Sequence, residues 1–569
     1  MKIKRAGRGI LSSLIPVLAA AVLSSAGGPV SPGQIVVPPP ADLSGYALPP
    51  KDAHPKIDSA LWALTPAHLR VQTGSGVERA AAGGTGRLIR IVAETDGAHG
   101  GDSRADETGS VCRRIEALGG AVERTSGRFV QALLPPDVIE TFASFRDISR
   151  LRLPSVPRAA SILSEGVARS GAFSWFNLAS YRSSANPVKI AVLDLGFAGY
   201  SALLGVELPA DVTVRSFRTD GDIEAGTSHG AACAEIIHDM APDARIYLIN
   251  FETDVEQHAA VDYLIAEKID VVSYSLVWPG AGAGNGTGPI CEDVKKCAAQ
   301  DILWVSAAGD DAQSHWKGTF ADANGDSFQE FASDDEILQW PVPAGTWTRA
   351  TLTWDDWGTW NGTSYEAPTQ DFDLVLWRWT GTAWEFLEYC DDWQTGETGQ
   401  KPFEQSSLWK TNVATYYGVS ILRWDASENR VLDLIVQGNS NVIEYVVPGG
   451  SIGIPADAAE AIAVGATDAE TDVLQAWSSQ GPASDGRMKP DLTAFSRVST
   501  AVLGSKAFSG TSAAAPHVAG ALGLLMAKTP FTADQLRTIL EERAKDLGIT
   551  GPDNFFGYGR LNLYKKKAF

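Results

Sequence analysis

The stretch Phe508-Ser-Gly-Thr-Ser512-Ala-Ala-Ala-Pro-His-Val-Ala-Gly520 decides how this chain is read. Its turn of small residues, Gly510, Thr511 and Ser512, runs into an apolar segment from Val518 to Met526 whose only breaker is glycine. That pattern predicts a buried helix with Ser512 at its N-terminus. Free N–H groups and the positive end of the helix dipole face that position and stabilise charge developed in acyl transfer. An N-capping serine before a core helix has the same local pattern. Ser512 keeps both readings until partners are found for it.

Two partners lie upstream. Val188-Lys-Ile-Ala-Val-Leu-Asp194 is an apolar, β-branched strand that ends in a carboxylate and is followed by Gly196. Strand C-termini are where open α/β sheets collect their chemistry. Gly226-Thr-Ser-His229-Gly-Ala-Ala-Cys233 sets a histidine at the start of a helix of small residues, where it can project into a cleft. A serine hydroxyl needs an imidazole to take its proton, and the imidazole needs an acceptor that fixes its tautomer. Asp194, His229 and Ser512 supply those roles.

In this order and context the three motifs resemble those of the subtilisin-like serine peptidases, the subtilases. Further motifs carry the resemblance: Val272-Ser-Tyr-Ser275-Leu, Ala461-Ile-Ala-Val-Gly-Ala466, Ser478-Ser-Gln-Gly-Pro482 and Gly486-Arg-Met-Lys-Pro-Asp491-Leu. The resemblance implies an α/β fold with a doubly wound parallel sheet, polypeptide substrates, and a triad of Ser512 as nucleophile, His229 as base then acid, and Asp194 as orienting carboxylate. It places Ser275 and Leu276 at the substrate cleft. The alternation of apolar strands 189–194, 244–251, 270–275 and 302–307 with helical stretches 229–238, 257–268 and 291–300 independently predicts a parallel sheet.

One departure stands out. Where subtilases carry an asparagine whose amide helps hold the oxyanion, this chain reads Ser306-Ala-Ala-Gly309-Asp310. The oxyanion contacts implied here are Asp310 and the backbone N–H of Ser512. An ionised Asp310 donates no hydrogen bond and repels the intermediate; a protonated one can serve, so a slowed peptidase with an acid-shifted optimum is expected. Some proprotein convertases also carry aspartate here.

Composition bounds the rest. The 569 residues are 44% hydrophobic and 20% charged, enough for several packed domains, and the net charge of −21 argues against nucleic acid. Residues 1–26, with Lys2, Lys4, Arg5 and Arg8 before an apolar run, read as a signal peptide rather than a membrane anchor. A secreted or periplasmic protein is expected. Residues 27–50 read as a Pro/Gly-rich linker. Residues 51–165 show a βαβ-like pattern that resembles a subtilase propeptide, with maturation between about Val156 and Ser174. The catalytic domain is expected over 166–313 and 448–569.

Residues 314–447 alternate apolar and polar positions between turn residues, which predicts an inserted β-sandwich. It holds twelve of the seventeen tryptophans, read chiefly as sandwich core; exposed ones would give a surface for polysaccharide or protein. Asp322-Ala-Asn324-Gly-Asp326 has the oxygen spacing of half a calcium loop, so a structural calcium ion joins the expectations, though the chemistry needs no cofactor. Cys291 and Cys297 are candidates for a local disulfide, whereas Cys233 reads as packing. The rival functional reading is an impaired or purely self-processing subtilase whose sandwich acts as a binding module.

Overall fold

The computed structural model describes residues 88–95, 104–126, 129–152 and 162–564 apart from 177, 179, 184, 334, 398 and 439–441, together with isolated positions between 55 and 65. The signal peptide and linker expected over 1–50 lie outside the described residues, as do residues 153–161 of the expected maturation region. The chain divides into two compact units, 1–157 and 158–569.

In the first unit β1 (Ile89–Thr95), α1 (Arg104–Ala117), β2 (Ala121–Ser126), β3 (Phe129–Leu134), α2 (Ile139–Ala143) and β4 (Ile148–Arg152) form an α+β fold. Its sheet order is β2-β3-β1-β4, every pair antiparallel. Ile91, Ala93, Val130 and Ala132 of the sheet pack with Val111, Ile115 and Phe142 of the helices in one core.

The second unit opens with α3 (Glu165–Ser170) and is built on β5 (Lys189–Asp194), β6 (Thr213–Ser216), β7 (Arg245–Asn250), β8 (Val271–Tyr274), β9 (Leu303–Ala307), β19 (Ala461–Asp468) and β20 (Leu492–Ser496). These make a parallel sheet in the order β20-β19-β9-β8-β5-β7-β6. Helices cover both faces, so β5 has no polar alternation. Ile190 and Val192 pack in the core that contains α4 (His229–Met240) and α7 (Thr511–Lys528). Ala191 and Leu193 pack in the core of α5 (Asp254–Glu267) and α6 (Pro289–Ala298). The chain winds outward from β5 in both directions, so the crevice at its C-terminal end is the switch point of the sheet. Near the end of the chain, α8 (Ala533–Arg543) begins in a capping box from Thr532 and Gln535.

The insertion is a two-sheet sandwich. One sheet orders β10 (His315–Thr319), β18 (Val431–Gly438), β12 (Trp347–Trp354) and β15 (Phe403–Gln405), with β16 (Trp409–Lys410) also on β12; the other orders β11 (Leu338–Val342), β17 (Thr415–Asp425), β13 (Asp371–Trp379) and β14 (Trp384–Cys390). Their inner faces share a core that includes Leu352, Leu434, Phe372, Leu374, Val419 and Ile421. Of the twelve tryptophans, only Trp393 and Trp424 are exposed; Trp316, Trp340, Trp354 and Trp357 are buried and the rest are partly covered. The two ends of the insertion meet, since Val447 N–H donates to His315 C=O at 2.9 Å. Beside that neck Asp433 bridges His315 (3.1 Å) and Lys317 (2.9 Å). Burial would push its carboxyl up, but the two partners outweigh it and hold the pKa at about 2.

The expected Cys291–Cys297 disulfide is not formed: all five cysteines are free. Both thiols sit on α6, six residues apart. A helix rises about 9 Å over six residues, whereas a disulfide needs Cα atoms within about 7 Å. Cys291 Sγ instead donates to Asp457 Oδ1 at 3.4 Å.

Helix α7 is buried almost throughout, and glycine lets it sit close to its neighbours. A Cβ at Gly520 would stand 2.5 Å from Met240 Cβ on α4, and one at Gly523 2.4 Å from Ile190 Cδ1 on β5. Gly520→Ala is therefore expected to force α7 away from α4 and to cost about 1–3 kcal/mol of stability, the usual range for overpacking. Urea unfolding of the variant measures this, and a change below about 0.5 kcal/mol would contradict the packing argument.

Candidate active site

Each site residue stands where a strand or helix ends at the switch-point crevice. Asp194 is the last residue of β5 and is fully buried. Its Oδ1 accepts the Leu195 N–H at 2.8 Å, and its Oδ2 accepts from His229 Nδ1 at 2.7 Å. His229 opens α4, close to β5 because Gly230 has no side chain: a Cβ there would meet Gly196 O at 2.7 Å and Asp194 Cβ at 2.9 Å. The imidazole is packed edge-on against Phe508, with ring centres 5.6 Å apart. Burial pulls its pKa down, but the Asp194 charge and hydrogen bond, aided by Asp310, outweigh this and leave it above the ordinary value.

Ser512 is the second residue of α7. Gly510 is the N-cap, at φ 115°, so Ser512 is not itself the capping residue. A residue at that position has a backbone N–H with no intrahelical acceptor. The Ser512 hydroxyl donates to Ser275 C=O at 3.2 Å rather than to the His229 ring, while Ser275 Oγ–H donates to Ser512 C=O at 3.1 Å. Catalytic hydrogen bonds are commonly unmade before substrate binds. Cys233 lies beneath, with Sγ 3.6 Å from Ser512 C=O, buried as expected of a packing residue.

Asp310 follows β9 and is exposed to the crevice. Its Oδ1 accepts both the N–H and the hydroxyl of Thr511, each at 2.8 Å, and the same hydroxyl accepts from Gly309 N–H at 3.2 Å. Its Oδ2 lies close to Gly510, the N-cap of α7. A Cβ built on Gly510 would be 2.9 Å from that oxygen, 3.4 Å from Ser512 N and 3.5 Å from Ser512 Cβ. Surrounding protein raises the Asp310 carboxyl above its ordinary range, against the opposing pull of Thr511 and His229.

Residues 397–559 match the subtilase family; the match begins inside the sandwich and runs through Ser512. Over that segment the chain is similar to the subtilases. It is 36% identical to subtilisin Savinase of Lederbergia lenta over 138 residues, 24% of this chain and 46% of that protein. It is 52% identical over 56 residues to an extracellular serine protease of Serratia marcescens, covering 10% of this chain and 5% of that protein. The matched stretches thus span less than half of these relatives' own length. Among solved structures, that of the Clostridium perfringens CspB protease aligns at a TM-score of 0.48 and 16% identity, covering 70% of this chain and 97% of the other.

Of the expected cleft residues, Ser275 touches Ser512 directly and Leu276 is partly buried against the α5–α6 core. A pocket of about 570 Å3 including its mouth, lined by none of Ser512, His229 and Asp194, begins one residue later in the chain. It is lined by Val277, Gly280 and Ile452 on one side and by Thr353, Asp433 and Ile435 of the sandwich on the other. The turn-rich Trp278-Pro-Gly-Ala-Gly run is the local signal for its first wall. Nothing local marked the second, since it depends on how the insertion folds back. Asp322, Asn324 and Asp326 do come together, and Glu336 joins them through Asn324 Nδ2 at 3.0 Å. Arg423 contacts Asp322 Oδ2 at 3.2 Å in the same turn. No helix among the described residues is long and apolar enough to cross a membrane.

The balance at His229 is directly measurable. Asp194→Asn removes the main charge that raises the imidazole pKa and leaves burial opposed only by Asp310, so the value is expected to fall below the ordinary 6.5. Proton NMR titration of the His229 ring in a Ser512→Ala background follows the change. An unchanged or higher value would contradict the assignment.

Proposed function

We propose that this subtilase is a secreted serine endopeptidase that cuts polypeptides through an acyl-enzyme, with Ser512, His229 and Asp194 as its triad. The observation that carries the reading is the 2.7 Å contact between His229 Nδ1 and buried Asp194, made beside a serine at a helix N-terminus. Asp194 holds the Nδ1–H tautomer, so Nε2 is free to accept the Ser512 proton once the hydroxyl turns from Ser275 C=O. Ser512 Oγ then attacks the peptide carbonyl. The oxyanion lies between the Ser512 N–H and Asp310, His229 returns the proton to the leaving amine, and water repeats the sequence to free the acid. Residues 51–165 act as a propeptide and hold the enzyme's first substrate bond. The N-terminal targeting pattern and the extracellular relative support secretion. A calcium ion at Asp322, Asn324 and Asp326 is the corresponding reading of the acidic turn, supported by its sequence spacing; added calcium would raise Tm in the native chain and not in Asp326→Ala.

Two measurements test the chemistry. Fluorophosphonate should label the native chain at Ser512 and leave Ser512→Ala unlabelled and unprocessed; a folded native chain that neither labels nor processes would exclude the peptidase reading. The competent state needs a neutral His229 and a protonated Asp310, groups that share charge and titrate as a pair. Activity therefore rises as His229 loses its proton and falls again as Asp310 loses its own. Asp310→Asn removes the second limb. It is expected to move the optimum to higher pH and to raise kcat by about 10²–10³-fold, the size of one oxyanion donor. A pH–rate profile identical to the native one would refute a catalytic role for the Asp310 proton.

A further inference from the structure

Away from the crevice, four carboxylates gather around the start of the second unit with no ion pair among the described residues. Glu207 and Glu235 are 7% and 1% exposed, and Asp239 and Glu165 are partly covered. Each is satisfied by the backbone instead. Glu235 accepts from Ala501 N–H at 2.5 Å and Val502 N–H at 3.1 Å, and Glu165 accepts Ser499 N–H at 2.7 Å. Burial is the main cause raising Asp239 to about 7 and Glu235 to about 6, and Glu207 adds to both. Lys506, which senses Glu165, is itself paired with Glu470. Carboxylates held this close in a protein interior either keep a proton or take up a cation.

The chain brings a nitrogen to them. Ile162 N–H donates to Glu207 Oε1 at 3.2 Å, and Ser164 N–H donates to Asp239 Oδ2 at 2.8 Å. The same segment is tied to the nucleophile helix. Ser164 Oγ–H donates to His517 Nε2 at 2.8 Å, and His517 Nδ1–H donates to Ala513 C=O at 2.7 Å, one residue after Ser512. Glycine is required for the approach, since a Cβ at Gly166 would stand 2.1 Å from His517 Nε2. The residues before Ile162 are Arg158-Ala-Ala-Ser161, small on the side that would be acylated.

We propose that maturation hydrolyses the Ser161–Ile162 bond and that the new α-ammonium of Ile162 occupies the acidic seat formed by Glu207 and Asp239. The inference rests on the peptidase reading for the cut and on the seat for its consequence. Water adds to the bond: Ser161 leaves with a carboxylate and Ile162 keeps the nitrogen, which takes up protons to become –NH3+. An α-amine with a pKa near 8 is charged at neutral pH. A nitrogen that offered one neutral N–H now offers three charge-assisted donors at the same place. The cut terminus binds the seat more tightly than the uncut chain, which fixes Ser164 against His517.

The cut and its consequence are tested separately. First, N-terminal sequencing of the self-processed native chain should read Ile-Leu-Ser-Glu; a stable terminus elsewhere overturns the proposal. Second, in full-length Ser512→Ala, residues 157–161 are replaced by Asp-Asp-Asp-Asp-Lys so that enteropeptidase cuts before Ile162. Cutting should raise Tm by at least about 2 °C. Adding Glu207→Gln should abolish that rise while changing the uncut Tm much less, and a site placed four residues further upstream should give no rise. No rise on cutting before Ile162, or an equal rise in the Glu207→Gln or extended forms, overturns the seat. If the native chain fails to process at all, the peptidase reading fails, and the enteropeptidase arm still decides the seat.

Discussion

The close approach of α7 to α4 and β5 is the constraint on which the site depends. Ser512 lies on one of these elements, His229 on the second and Asp194 on the third, far apart in the chain. What fixes their spacing is the absence of side chains at Gly230, Gly520 and Gly523, where a single methyl would fall within 2.4–2.9 Å of a neighbour. Interiors packed at crystal-like density transmit such displacements instead of absorbing them. The small-residue composition of Ser512 to Gly523 is thus as much a part of the geometry of the site as Ser512, His229 and Asp194 themselves.

Much of this was legible in the sequence, and for identifiable reasons. The strand ending at Asp194, the helix beginning at His229 and the helix beginning at Ser512 were readable because each joins an apolar run to a sharp change in composition. The sandwich was readable from period-two alternation in β12, β13, β17 and β18. Less legible were β6 and β14, short strands that are half open to solvent and carry no continuous apolar face. The proposed Cys291–Cys297 bridge failed because short separation in sequence is not short separation in space once a helix intervenes. The second wall of the pocket and the acidic cluster at Ile162 were invisible for a related reason. Both are assembled from segments tens to hundreds of residues apart, and no single window contains their pattern.

Asp310 shows how a substitution that looks disabling in a motif can be accommodated in a fold. One oxygen is used by Thr511, which fixes the carboxyl in place, and the other lies close to Gly510. A carboxyl held there can donate a hydrogen bond only while it keeps a proton. The imidazolium form of His229 competes for the same charge balance. The pair thus couples the readiness of the base to the readiness of the acid, a dependence that a neutral amide would not have.

The neck of the sandwich, where Val447 N–H meets His315 C=O and Asp433 bridges His315 and Lys317, bears on how the chain reaches its native state. Asp310 and Thr511 are separated by 201 positions, a long loop to close at random. Once the insertion has folded and its ends are clasped, most of that separation is already spanned, and the remaining search resembles that of a chain without the insertion. A large segment can in this way be carried between two halves of an active site without slowing their encounter in proportion to its length.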